Sequence, residues 1–114
     1  NNNNNQLKKQ NKVMKTIDIN AREWFDKTYG NSYFSAIVTV DYGMETEKSF
    51  PVHFQCMVTE IFYGYAAFEE LKKQGIIKAD DNVQFWQWCR DNKVIAHYDI
   101  HRGCKKRDVV NFTK

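Results

Sequence analysis

Apolar and polar residues alternate along the first half of the chain and recur at helical spacing along the second half. Between Ser32 and Tyr42, Phe34, Ala36, Val38 and Val40 share one face while Tyr33, Ser35, Ile37 and Thr39 share the other. Two-residue alternation in a run rich in β-branched and aromatic side chains predicts a strand. Upstream, Ile17, Ile19 and Ala21 alternate with Asp18 and Asn20, again with the strand period. A competing helix could start at Asn20, with Glu23 completing a capping box and Gly30 as its stop. Such a helix would set Trp24 and Phe25 side by side with only one of them facing a core. A strand ending near Phe25 is therefore expected. The turn over residues 26–31 follows it, with Gly30 supplying a positive φ.

Asp41–Glu45 reads as a hairpin connection into a third strand over residues 46–56, with Phe50, Val52, Phe54 and Cys56 on one face. Pro51 lacks the N–H that a sheet ladder needs, so it predicts an edge strand or a bulge. The period then changes. Ile61, Tyr65, Phe68 and Leu71 form one helical stripe, Glu69 and Lys73 sit one turn apart on its polar side, and Gly75 closes it. A second helix is expected from Asp80 or Asp81, whose side chain would cap it, through Phe85, Trp86, Trp88 and Cys89 to about Asn92. Residues 94–100 alternate again and read as a strand returning to the sheet. The predicted order is β-β-β-α-α-β. This is an α+β domain, with an antiparallel sheet and two helices packed on one face.

At 114 residues, 42% hydrophobic and 27% charged, the chain has the size and composition of one globular domain. Multidomain enzymes, collagen-like fibres, long coiled coils and repeat solenoids are excluded. No run of about 18 apolar residues is present, so no membrane helix is expected. Cys56, Cys89 and Cys104 form an odd set without a CxxC pair, which fits neither a disulfide framework nor a zinc knuckle. Free thiols, and the lack of an apolar stretch behind the basic N-terminus, point to the cytoplasm. Residues 1–14 are polar and of low complexity, and read as a flexible basic arm ahead of a domain over residues 15–114. Met14-Lys15 could also mark the start of translation.

The formal charge of +3 conceals an uneven distribution. Residues 1–15 hold four Lys and no acid, and residues 101–114 hold five basic residues against Asp108, so each end carries +4. Residues 16–100 hold eight basic and thirteen acidic residues, a charge of −5. An acidic body with basic ends attracts polyanions such as RNA or DNA through those ends. Arg102, Lys105, Lys106 and Arg107, ahead of a strand-like Val109-Val110-Asn111-Phe112, make the more compact cationic segment. On a helix Trp86 and Trp88 would lie about 200° apart and cannot both enter one core, so one of them, or Phe85, should be exposed or semi-exposed. Together with Tyr63 and Tyr65, which flank Gly64, they are candidate aromatic contacts to bases or to a partner protein.

The case for catalysis is thinner. His97, Asp99 and His101 alternate on the last predicted strand and are ligand types of iron or zinc sites, and Cys104 could add a thiolate. Positions i and i+4 on a strand lie more than about 13 Å apart, too far for one ion without a bend. No metal and no cofactor are expected, and a small metal-dependent enzyme is the weaker alternative. His53 is expected on the surface and Cys89 in the core. No P-loop, GxGxxG, HExxH or GxSxG motif and no clustered acidic pair is present, so no residue is assigned a catalytic role.

The stretch Glu23-Trp-Phe-Asp-Lys-Thr-Tyr-Gly-Asn-Ser-Tyr-Phe-Ser35 resembles small phage and prophage proteins that carry a similar WFDK…GNSYFS run and a Tyr-Gly-Tyr near the middle, here Tyr63-Gly64-Tyr65. The resemblance extends loosely to Trp86-Gln-Trp-Cys-Arg90 and Lys106-Arg-Asp-Val-Val110, and departs at Cys56–Phe62. It implies a viral origin and a small α+β fold, and carries over no functional residues. A phage origin in turn implies two roles without an active site. One is a host-takeover or anti-defence inhibitor, for example of a CRISPR system, that binds a bacterial host protein or protein–RNA complex. The other is a stand-alone nucleic-acid-binding accessory of phage replication.

Overall fold

The two alternating runs pair into a long hairpin in the computed structural model, which describes residues 14–57 and 63–114. Strand β1 (Thr16–Asp26) runs antiparallel to β2 (Asn31–Val40), in register from Ile17 opposite Val40 to Asp26 opposite Asn31. Gly30 takes φ +73° at the turn between them. The helical alternative at Asn20 loses because a strand lets Ile17, Ile19 and Ala21 meet Val40, Val38 and Ala36 on one face. Strand β3 (Lys48–Met57) then pairs antiparallel with β2 and forms one edge of the sheet, where Pro51 is tolerated. A bulge opposite Phe34–Ala36 breaks the β3 register. Phe54 consequently leaves the face of Phe50 and Val52 and stacks on Tyr33, on the opposite side from that predicted.

Helix α1 (Tyr63–Lys73) and helix α2 (Phe85–Asp91) cross back over the sheet to β4 (Ile95–His101). The strand order is β3-β2-β1-β4, and β4 runs parallel to β1. The sheet is therefore mixed and not purely antiparallel. The reason is the crossover: a two-helix connection carries the chain back to the starting end of the sheet, as parallel strands require. The α1 stripe is also rotated from its predicted position. Tyr63, Gly64, Ala67, Phe68 and Leu71 face the core while Tyr65 is exposed, and Ile61 lies outside the described residues. Helix α2 starts at Phe85 and not at Asp80 or Asp81. The Asp80 carbonyl is used in a turn to Val83 N, and Gln87 Oε1 accepts from Gln84 N at 3.1 Å to close the helix start.

Phe34, Phe68, Ile17, Ile19, Leu71 and Val38 fill the core between the sheet and these two helices. The last segment departs most from expectation. Val109-Val110-Asn111-Phe112 belongs mainly to a short helix, α3 (Lys106–Asn111), and not to a strand. It packs on β1, β2 and β3, on the sheet face opposite α1 and α2. Val109 and Ser35 are fully buried there, outside the main core. The domain is thus α+β in three layers, with two helices on one face and one on the other. No helix among the described residues is long and apolar enough to cross a membrane. The polar arm called over residues 1–14 lies, apart from Met14, outside the described residues; Met14 is half-buried against the core.

Candidate functional site

Strand β1 has a second face, and that face builds the site. Opposite the buried Ile17, Ile19 and Ala21, alternation places Asp18, Asn20, Arg22 and Trp24 on the sheet face that carries α3. The helix is pinned at its centre by Val109, whose carbonyl accepts a 2.6 Å hydrogen bond from Ser35 Oγ. Around this pin the cations are held by aromatic rings. The Arg22 guanidinium lies 4.2 Å from the centre of the Phe112 ring and donates to the Asp108 carbonyl, while Lys106 Nζ lies 5.4 Å from the Trp24 ring. Trp24 continues into a row of rings across the sheet, 5.4 Å to Tyr33 and 5.2 Å from Tyr33 to Phe54. A shallow cavity beside Arg22 is lined also by Asn20, His101, Gly103, Cys104, Lys105 and Asp108.

The cationic segment is tied down at its other end as well. Cys104 N donates to the Glu23 carbonyl at 3.0 Å, continuing the β4–β1 contact past His101. Glu23 also accepts from the Tyr63 hydroxyl, and Arg102 Nε lies 3.7 Å from its carboxylate. Burial and the Glu23 charge push the Tyr63 phenol well above its ordinary pKa, so it stays protonated and acts as a donor, not as a base. Gly64 follows it at a close approach, where a Cβ would sit 2.8 Å from the Phe85 ring.

Chemically, this is a fixed cationic surface. Comparison with protein-family models, curated proteins and solved structures finds no match to this chain.

The residues singled out from sequence divide between the two faces. Lys105, Lys106 and Arg107 are exposed at the start of α3, and Arg102 is exposed at the end of β4. Trp86 is exposed on α2, 61% accessible, with the Arg90 guanidinium 5.2 Å from its ring centre. Trp88 is half-buried against Phe68 at 6.1 Å, and Tyr65 is exposed on α1. The sheet therefore separates Trp86, Trp88 and Tyr65 from Lys105, Lys106 and Arg107. Arg102 and Tyr63 meet at the Glu23 carboxylate, which shares the face of Ile17, Ile19 and Ala21. Arg22, Trp24, Tyr33 and Phe54 join the basic segment and were not among the sequence candidates. The signal for Arg22 and Trp24 was present, because both occupy the polar phase of the β1 alternation.

His97, Asp99 and His101 pair with Asp18, Asn20 and Arg22 and so share this second face, toward the β4 edge that α3 leaves uncovered. His101 Nε2 lies 3.3 Å from Asp99, both exposed. Among the described residues no three His, Cys, Asp or Glu side chains group closely enough to hold one ion. His53 is exposed and bonds Thr113 at 3.0 Å. Cys89 is buried, which pushes its thiol pKa up, and Cys104 Sγ donates to the His101 carbonyl at 3.3 Å.

Proposed function

We propose that this chain is a non-catalytic interaction protein of phage type, acting in the bacterial cytoplasm as a host-takeover or anti-defence inhibitor. In this reading it binds a nucleic-acid-handling host protein or protein–RNA complex, for example of a CRISPR system, and sets its cationic end against the nucleic acid. The observation that carries the reading is the fixation of the basic segment. Arg102, Lys105, Lys106 and Arg107 fall within six residues, tied by Cys104 N to β1 and by Val109 and Ser35 to the sheet. A solvated tail has no such anchors. Cations held in place meet phosphates without an ordering cost, and Arg22 extends the same surface.

The test is fluorescence anisotropy with labelled single-stranded RNA and DNA over a salt series. Each phosphate contact contributes a slope of about 0.7 log units per decade of salt on single strands. The K105E/K106E/R107E variant should therefore lower the slope by about 2 and abolish binding near physiological salt. No binding at low salt, or an unchanged slope in the variant, overturns the reading. Because the cationic surface is complete within one chain, a stand-alone nucleic-acid-binding accessory of phage replication is the second reading. Capture of a host complex that survives nuclease treatment favours the inhibitor. Tight binding to bare RNA with no host protein retained favours the accessory.

A further inference from the structure

Among the described residues, strand β4 is an edge strand that pairs with β1 alone and leaves the other side of its backbone free. Ile95 N donates to the Lys15 carbonyl at 3.0 Å, which fixes the phase of the strand. Residues 95, 97, 99 and 101 turn their backbone groups toward β1, and Ala96, Tyr98 and Ile100 turn theirs outward. The two edges of the sheet differ in protection. On β3, Pro51 and a bulge interrupt the free edge, which are common devices against strand pairing. On β4 there is neither, and Ile95 and Tyr98 are 59% and 51% exposed.

The side chains of β4 are complementary to themselves. Pair the strand antiparallel with a second copy about a two-fold axis at Tyr98. Tyr98 then faces Tyr98 of the second copy, Ala96 faces Ile100, and His97 faces Asp99. The outward backbone groups of residues 96, 98 and 100 all meet outward groups, so each of those pairs exchanges N–H···O bonds in both directions. His97 and Asp99 fall at the intervening non-hydrogen-bonded position, where facing side chains approach most closely and a ring N–H can donate to a carboxylate. A shift by one residue would set outward backbone groups against inward ones.

We infer that β4 is the self-association surface of this protein, which pairs two copies edge to edge into one continuous sheet. The occupant is a second copy of this chain, chosen by the backbone phase and the reciprocal His97–Asp99 pairs. The axis is perpendicular to the sheet, so both α3 helices and both basic segments lie on the same side of the dimer. The inference does not depend on nucleic-acid binding and stands if that reading fails.

Sedimentation of the full chain over a concentration series tests it, with the dimer at twice 13.6 kDa. His97→Asp sets carboxylates against each other twice across the axis and should weaken association about tenfold. The H97D/D99K variant sets a carboxylate against an ammonium instead and should recover the dimer. Because His97 lies beside Asp18, circular dichroism checks that each variant is folded. Hydrogen exchange gives a second readout that needs no variant. Amides of Ala96, Tyr98 and Ile100 should gain protection with concentration, while those of Ile95, His97 and Asp99 stay constant. A monomer at every concentration, a dimer indifferent to H97D, or protection without this alternation overturns the inference.

Discussion

Helix α3 carries the basic segment on a small attachment, and that attachment can be cut without touching a charge. Val109 is its one fully buried side chain, worth about 1.5–3 kcal/mol of transfer from water. The Ser35–Val109 hydrogen bond adds a net of about 1 kcal/mol, and the Arg22–Phe112 contact about 0.5–1 kcal/mol. Docking is then worth about 3–5 kcal/mol, at the low end of the stability of a whole domain, roughly 5–15 kcal/mol. Val109→Asn removes the apolar term and buries an amide without a partner, a further cost of about 1–3 kcal/mol. The helix should therefore spend most of its time undocked while β1, β2 and the main core stay folded.

Hydrogen exchange by mass spectrometry tests the undocking. Peptides covering residues 105–114 should lose protection, and those of β1 and β2 should keep it. RNA anisotropy tests what undocking does to binding. If only the docked form presents the cations, the apparent Kd rises by the inverse of the docked fraction, about 3–10-fold. Equal loss of protection throughout the sheet would show that α3 is no separate unit. Lost protection in α3 with unchanged RNA affinity would refute the claim that fixation of the basic segment matters.

Further expectations follow from particular residues. Asp41 is buried at φ +54°, and its carboxylate accepts from Lys15 N at 2.7 Å, Thr16 N at 3.2 Å and Thr46 Oγ1 at 3.0 Å. Asp41→Ala should cost about 2–4 kcal/mol in urea unfolding, and Asp41→Gly about 1 kcal/mol less because it relieves the left-handed strain. Lys93 ends α2 at φ +57° without a β-carbon-free backbone, so Lys93→Gly should stabilise by about 0.5–1 kcal/mol. Tyr63 titrates above its unfolded value, so the folded state holds its proton where the unfolded state has lost it. Stability should therefore fall above about pH 10, by up to about 1.4 kcal/mol per pH unit from this group, and Tyr63→Phe should remove that part of the slope.

The hairpin and the α+β class were legible because alternation is a local signal, and Ile17–Ala21 and Phe34–Val40 carry it without interruption. The direction of β4 was not, since residues 94–100 read the same whether the strand pairs parallel or antiparallel. Only the crossover decides it. Residues 109–112 misled for a related reason. A β-branched pair reads as strand, yet one buried valine suffices to seat a helix turn on the second face of the sheet. Basic residues at 102–107 were visible in the charge count, whereas Arg22 and Trp24 joined them only once α3 was known to lie on the second face of β1. Tyr63 read as an exposed aromatic because its helix register was set by Ile61 and Tyr65. In the folded domain its hydroxyl is committed to Glu23.

The separation of Trp86 from Lys106 by the sheet constrains any partner. Layers in such a domain stack about 10 Å apart, so Trp86 on the helical side and Lys106 on the other lie farther apart than one nucleotide can span. A short oligonucleotide should engage one side only. Trp86→Ala should leave its affinity unchanged, and should also leave stability within about 0.5 kcal/mol because the ring is mostly in solvent. A protein–RNA complex large enough to wrap the sheet edge could touch both sides. Toward such a partner Trp86→Ala and Lys106→Glu should each weaken binding, and their effects should add, since the two residues share no contact. Strong coupling between the two substitutions would mean that one surface responds to the other, and the picture of two independent faces divided by a rigid sheet would fail.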